Sequence, residues 1–279
     1  MKRFALSLLL TCSIVFFAQS QYYYKDILSN KQTIADRQLI KVKNIRTVKV
    51  HSLEPDGTES QGFFCEKKVS KNFSKIETYT KSNITGKSIL TTVFNENGLL
   101  ISSYDSSESA ASYTTYEYDN NNNLTVIKSS ARSSDDDFST SLTEERQYSY
   151  NEQSMPVKLF IIKNGKDTTI YDFMLDEKGN VIDEIEYAVN GNHYYYFYNE
   201  KNLLTQIVKF NPVKNKLMPD YIFDYNDFNQ MEKMVAVEAG PNSDYFTWKY
   251  FYNEAGLRII EKCFSKEKDL MGSFEYEYQ

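Results

Sequence analysis

The sequence predicts an all-β fold: an antiparallel β-hairpin repeat meander, curled into an open sheet or a partial roll or shell. Three observations predict it. An aromatic or Leu residue followed by Asn or Asp, with a small turn residue three positions later, occurs seven times: Phe94-Asn95…Gly98, Tyr118-Asp119…Asn122, Tyr150-Asn151…Ser154, Leu175-Asp176…Gly179, Tyr198-Asn199…Asn202, Tyr225-Asn226…Asn229 and Tyr252-Asn253…Gly256. A recurring period of this length marks a repeat architecture. Six copies carry a second aromatic two residues upstream (Tyr116, Tyr148, Phe173, Tyr196, Phe223, Tyr250; Thr92 is the exception), and that spacing puts both side chains on one face of a strand. Beyond each turn lies a second run with apolar content, such as Leu124 to Ile127, Val157 to Ile162 and Leu204 to Phe210.

The turn columns carry their own physical reasons. Asn and Asp side chains accept hydrogen bonds from backbone N–H groups two residues on, which starts a reversal. Gly and Asn tolerate the left-handed conformation that completes it. Alternation is less clean in the outgoing runs, so these strands are expected to carry bulges or to be covered on both sides. A sheet of about sixteen strands cannot stay flat, because twist accumulates across it. An inward-packing roll follows, with a sandwich-like fold-over as the second arrangement.

The remaining segments follow in order. Residues 1–20 have the layout of a secretory signal peptide: Lys2 and Arg3, an apolar run from Phe4 to Ala18, and Ala18-Gln19-Ser20 before the cleavage point. Lipid anchoring through Cys12 is a minor alternative. Residues 21–37 read as a flexible lead or short helix, and residues 38–279 as one repeat domain. Within it, Leu39 to Leu53 and Phe63 to Phe94 read as strands with degenerate copies of the repeat, and Phe274 to Tyr278 matches an eighth incoming strand. The longest insertions are Ser129 to Ser141, with the acidic run Asp135 to Asp137, and Phe210 to Asp220.

The columns resemble the YD repeat of the Rhs family, Tyr-Asp-X-X-Gly-Asn-Leu. Tyr118-Asp119…Asn122-Asn123-Leu124 and Leu175-Asp176…Gly179-Asn180-Val181 match it most fully, and the resemblance covers residues 92 to 278. It implies a β-sheet shell. Large members of that family enclose a toxic domain, whereas this chain is far shorter and has no Asp-Pro-X-Gly-Leu self-cleavage motif.

Charge narrows the function. The net charge of −6 becomes −8 when Lys2 and Arg3 leave with the signal, which disfavours nucleic acid and anionic membranes as partners. No later stretch is long and apolar enough to form a transmembrane segment of the mature chain. Cys65 and Cys263 remain after cleavage, and export permits a disulfide between them if the first and last strand regions meet. His51 and His193 are the only histidines and read as strand residues; no cofactor motif and no structural metal set accompanies them.

Two groups remain as candidate sites. Tyr194, Tyr195, Phe197, Tyr245 and Trp248 offer rings that could stack on a ligand. Glu96, Glu152, Glu177, Glu200, Asp227 and Glu254 would line one edge if the hairpins stack in register, where they could collect calcium or a basic partner. Asp119-X-Asn121-X-Asn123 resembles the opening of a calcium loop but meets Leu124 where Gly is required, so it reads as a turn. The resulting expectation is an exported, non-catalytic scaffold or binding module of a bacterial cell envelope, meeting a protein or a glycan there. Carbohydrate binding through an aromatic face, or service as a shell or partner component of an Rhs-type toxin system, are the alternatives.

Overall fold

The computed structural model describes residues 22–133, 142–189, 191–211, 215–238 and 244–279. The signal segment with Cys12 and the acidic run Asp135 to Asp137 lie outside them. Among the described residues one helix, α1 (Tyr24–Val42), precedes eighteen strands: β1 (Thr47–Leu53), β2 (Phe64–Val69), β3 (Lys75–Ser82), β4 (Gly86–Phe94), β5 (Leu100–Ser107), β6 (Ala110–Tyr118), β7 (Leu124–Ser133), β8 (Leu142–Tyr150), β9 (Pro156–Lys163), β10 (Asp167–Leu175), β11 (Val181–Glu186), β12 (His193–Tyr198), β13 (Leu204–Asn211), β14 (Lys216–Tyr225), β15 (Met231–Val237), β16 (Tyr245–Tyr252), β17 (Arg258–Phe264) and β18 (Leu270–Tyr278).

Each strand pairs antiparallel with its neighbours in sequence, and β18 pairs with β1, Val48 opposite Tyr278 through Leu53 opposite Ser273. The sheet is therefore a closed barrel. This overturns the expected open sheet or partial roll. Closure satisfies the two rows of backbone groups that an open meander would leave at its edges. The terminal strand Phe274 to Tyr278 supplies the seam, and Gln279 extends it by accepting the N–H of Arg46 at 2.5 Å and of Thr47 at 2.9 Å.

The seven turns share one construction. The Asn or Asp Oδ1 accepts the N–H four residues on in every copy, from Leu99 onto Asn95 to Leu257 onto Asn253. The residue three after it has positive φ: Gly98, Asn122, Ser154, Gly179, Asn202, Asn229 and Gly256. Register slips by one residue beside the aromatic in all seven, so each outgoing strand carries one extra residue (Ile101, Thr125, Val157, Ile182, Thr205, Glu232, Ile259). Those bulges explain the imperfect alternation seen in the sequence.

The repeat tyrosines do more than fill space. Tyr118, Tyr150, Tyr198, Tyr225, Tyr252 and Tyr278 each donate a hydroxyl hydrogen bond, at 2.6 to 2.9 Å, to the first backbone carbonyl of an adjacent outgoing strand. Phe94 and Leu175 occupy the same position without a hydroxyl. Consecutive hairpins are thus tied by side chains as well as by the sheet ladder.

Helix α1 fills the barrel at the end bearing these turns. It contains no Gly or Pro, carries Asp26 in its first turn and Lys41 in its last, and stops at Asn44 in the left-handed region. It runs past residue 37, where the sequence reading placed the domain boundary. Its nineteen residues span about 28 Å at 1.5 Å each, close to the roughly 28 Å diameter that eighteen strands at ~4.8 Å enclose. At one end Tyr23, Tyr24 and Ile27 join the core with Tyr148, Tyr171, Phe173, Tyr194 and Tyr196. At the other, Leu39 and Ile40 pack with Ile45, Val48 and Leu257.

Candidate functional site

The first turn of a helix leaves backbone N–H groups without intrahelical partners. In α1 they point at the barrel wall rather than at water, and Tyr23 makes no side-chain cap. Glu184 of β11, fully buried, meets them: Oε1 accepts the N–H of Tyr23 at 2.7 Å, and Oε2 accepts the N–H of Tyr24 at 2.9 Å and the hydroxyl of Tyr196 at 2.7 Å. Burial lifts the Glu184 pKa to about 7, against the pull of those three donors.

A second tie lies beside it. Asp26 accepts Arg146 Nη1 and the Tyr148 hydroxyl, both at 2.7 Å, and Arg146 Nε donates to Glu144 at 2.7 Å. Burial opposes the Arg146 charge, but Asp26 and Glu144 outweigh it and hold its pKa above the ordinary guanidinium value. The guanidinium also lies 5.1 Å from the Tyr23 ring centre. Midway along α1, Asn30 Nδ2 donates to the Tyr118 hydroxyl at 2.7 Å. Near its C-terminal end Arg37 Nε donates to the Phe73 carbonyl at 2.9 Å, and the guanidinium lies 5.6 Å from the Phe94 ring centre. The helix is therefore tied to the wall at both ends and in the middle.

Farther from the turns the inward column becomes polar, with Asp105, Glu186 and Lys209 on it. Burial pushes the Asp105 carboxyl up and the Lys209 ammonium down, while Glu186 and nearby Asp220 pull Lys209 back. Lys209 Nζ stands 5.5 Å from the Tyr194 ring centre.

The five candidate aromatics divide between two faces. Tyr194 (0% exposed) and Trp248 (3%) point inward into the core. Phe197 (46%) and Tyr245 (38%) are exposed on the outer wall, where Tyr195 also lies, its ring 4.0 Å from that of His193. β12 and β16 are four strand spacings apart, roughly 19 Å around the wall. The five rings thus form no single platform, because alternation sends neighbours on one strand to opposite faces.

Glu96, Glu152, Glu177, Glu200, Asp227 and Glu254 are all exposed at the tips of the turns; Glu152 to Glu254 follow at two strand spacings or about 10 Å around the rim, whereas Glu96 and Glu152 are four spacings or about 19 Å apart because Asn120 holds the turn between them. Among the described residues no three His, Cys, Asp or Glu side chains converge as a metal site. His193 Nε2 stands 3.3 Å from Asp183, and His51 lies between Glu59 at 3.5 Å and Glu277 at 3.6 Å. Cys65 and Cys263 are both buried in one cluster with Val50, Trp248 and Phe274 but remain free thiols. β1 and β18 do meet, yet they also separate β2 from β17, leaving about 14 Å between the cysteine strands. A disulfide spans at most about 7 Å between Cα atoms, so the pair stays unbridged.

Glu184, Arg146 and Asp26 were not singled out in the sequence. A signal for Glu184 existed once the bulge is counted. The third residue after each outgoing strand begins faces inward, and it reads Ser103, Ile127, Leu159, Glu184, Ile207, Met234, Glu261 through the copies. Two acids interrupt an otherwise mostly apolar column. Glu261 is likewise satisfied, by the Tyr276 hydroxyl at 2.6 Å and Arg258 at 2.8 Å.

Comparison with known proteins adds the following. No family model matches the chain, and no curated protein does. Among solved structures, a porin-like protein from Bacteroides uniformis ATCC 8492 is 9% identical with a TM-score of 0.41, over 84% of this chain and 96% of that one. A porin-like protein from Bacteroides vulgatus ATCC 8482 is 10% identical with a TM-score of 0.31, over 84% and 99%. The Tc holotoxin pore of Photorhabdus luminescens is 11% identical with a TM-score of 0.28, over 78% of this chain and 16% of that one.

Proposed function

We propose that this chain is an exported, non-catalytic barrel protein of a bacterial cell envelope that works as a binding module or scaffold, and not as a conducting pore. The observation that carries this reading is helix α1, strung across the lumen and fastened by Glu184, by Asp26 with Arg146 and Tyr148, and by Arg37. A helix held by buried charges is a built part of the interior.

The outer wall supports the same reading. Ion pairs stand on it, including Lys128 with Glu117 at 2.8 Å, Lys158 with Asp172 at 3.0 Å and Lys49 with Glu277 at 3.8 Å. Charges facing lipid cost about 2–4 kcal/mol each for Lys at the bilayer midplane, so this wall suits water. Among the described residues no helix is long and apolar enough to cross a membrane. The signal-like N-terminus favours export, and the shared turn and tyrosine construction supports the YD-repeat resemblance.

Fractionation and planar-bilayer recording test the proposal. The mature protein is expected in the soluble periplasmic or secreted fraction and to give no conductance steps. Retention in carbonate-washed membranes with reproducible channel openings would refute it, as would turnover of a glycan or peptide that depends on one carboxylate.

A further inference from the structure

The outer wall over β6 to β9 carries a groove of about 390 Å³, within the size range of small-molecule sites. Sheet register explains its lining. Tyr113, Ser130 and Thr143 face one another in one outward row, and Thr115, Lys128, Glu145 and Ile162 in the next. Short hydroxyl side chains in the centre leave a hollow between the Tyr113 ring on one side and Ile162 with Gly165 on the other. Tyr113 is about half exposed, so a ring face is available.

We propose that this groove binds a short neutral saccharide, resting on the binding-module reading above and locating its site. Three features of the lining select that chemistry. The Tyr113 ring and Ile162 offer apolar surface suited to the C–H face of a sugar ring. The hydroxyls of Thr115 and Ser130 make no hydrogen bond to the protein among the described residues, and Glu145 accepts only from Gln147 Nε2, onto Oε1 at 2.7 Å. The charges do not favour an anion: Lys128 is already paired with Glu117 at 2.8 Å and faces Glu145 across the register. An added peptide strand is disfavoured as well, because β6 to β9 each have both edges paired in the closed ring.

Calorimetry and saturation-transfer NMR on the mature chain, with cellobiose, maltose, lactose and N,N′-diacetylchitobiose at millimolar concentration as probes, test it. At least one disaccharide is expected to bind. Tyr113→Ala should weaken it by about tenfold or more, Ser130→Lys should abolish it by filling the groove, and Tyr245→Ala on distant β16, also exposed on the outer wall, should leave it unchanged. Binding by none of the four, or binding that survives both groove substitutions, would overturn the site while leaving the scaffold reading intact. Recovery of a cleaved sugar with the same dependence on Tyr113 would do the reverse, upholding the site and refuting the non-catalytic reading.

Discussion

Glu184 Oε1 accepts the backbone N–H of Tyr23 at 2.7 Å, so a carboxylate on the barrel wall caps a helix that the chain made long before it. The helix N-terminus carries partial positive charge, which favours the anion; burial favours the neutral acid. The balance places the group near neutrality.

That balance has a sign. Burial raises the Glu184 pKa in the fold from 4.5 to about 7, with Tyr196, Tyr23 and Tyr24 donating to it and Asp26 adding repulsion. Between those values the folded chain holds more protons than the unfolded one, so this group's contribution falls as pH rises from 4.5 to 7. The full swing is about 3 kcal/mol. Thermal melts across this window should show it, and Glu184→Gln should flatten the profile. A variant profile parallel to the parent would refute the assignment.

Tyr118 donates to the Leu100 carbonyl and accepts from Asn30 of the helix, whereas Tyr252 donates only to the Met231 carbonyl. Removing one neutral hydrogen bond costs about 0.5–1.5 kcal/mol. Tyr118→Phe should therefore destabilise by about 1 kcal/mol more than Tyr252→Phe. In denaturant titrations its effect should be non-additive with Asn30→Ala.

The turns give a graded test of backbone strain. Ser154 sits at φ 61° where other copies hold Gly or Asn, so Ser154→Gly should stabilise by about 0.5–1 kcal/mol. Gly98→Ala and Gly256→Ala face similar φ of 84° and 78°, but an added methyl at Gly98 would lie 2.6 Å from Arg37 of the helix. The Gly98 variant should lose more stability in urea unfolding, and Arg37→Ala should narrow the gap.

Burial raises the thiol pKa of Cys65, and that of Cys263 to about 12. Both should resist an aromatic disulfide reagent in the folded mature chain and react together in denaturant. Fast labelling of either under native conditions would contradict their placement.

The local construction was legible in the sequence because each part of it is short-range. Asn95 or Asp176 starts a turn with its own neighbours, and Tyr148 with Tyr150 shares a face by spacing alone. Closure was not legible: nothing near Val48 or Tyr278 announces that they pair, and the open and closed forms use the same hairpins. The helix was half legible, since its polar residues such as Asn30 and Arg37 read as solvated until the lumen supplies partners for them. Of the candidate aromatics, Tyr194 and Phe197 fall on opposite faces of β12 by spacing alone, but which face is buried depends on the direction in which the sheet closes. The groove at Tyr113 needed four strands in register, and no single segment holds more than three of its residues.

The seam has a consequence for how the molecule assembles. Every ladder except β1 with β18 joins strands consecutive in the chain. Those hairpins can form early and in any order, each closing a short loop. Bringing Val48 to Tyr278 closes a ring containing the whole repeat region and joins strands at the greatest sequence separation in the sheet, so it comes after the hairpins that carry the two edges toward each other. Until then β1 and β18 present bare, pairable edges, and two half-assembled chains can exchange them. The rate at which the ring shuts, rather than the strength of any hairpin, should therefore set how much protein escapes into dimers and aggregates during refolding.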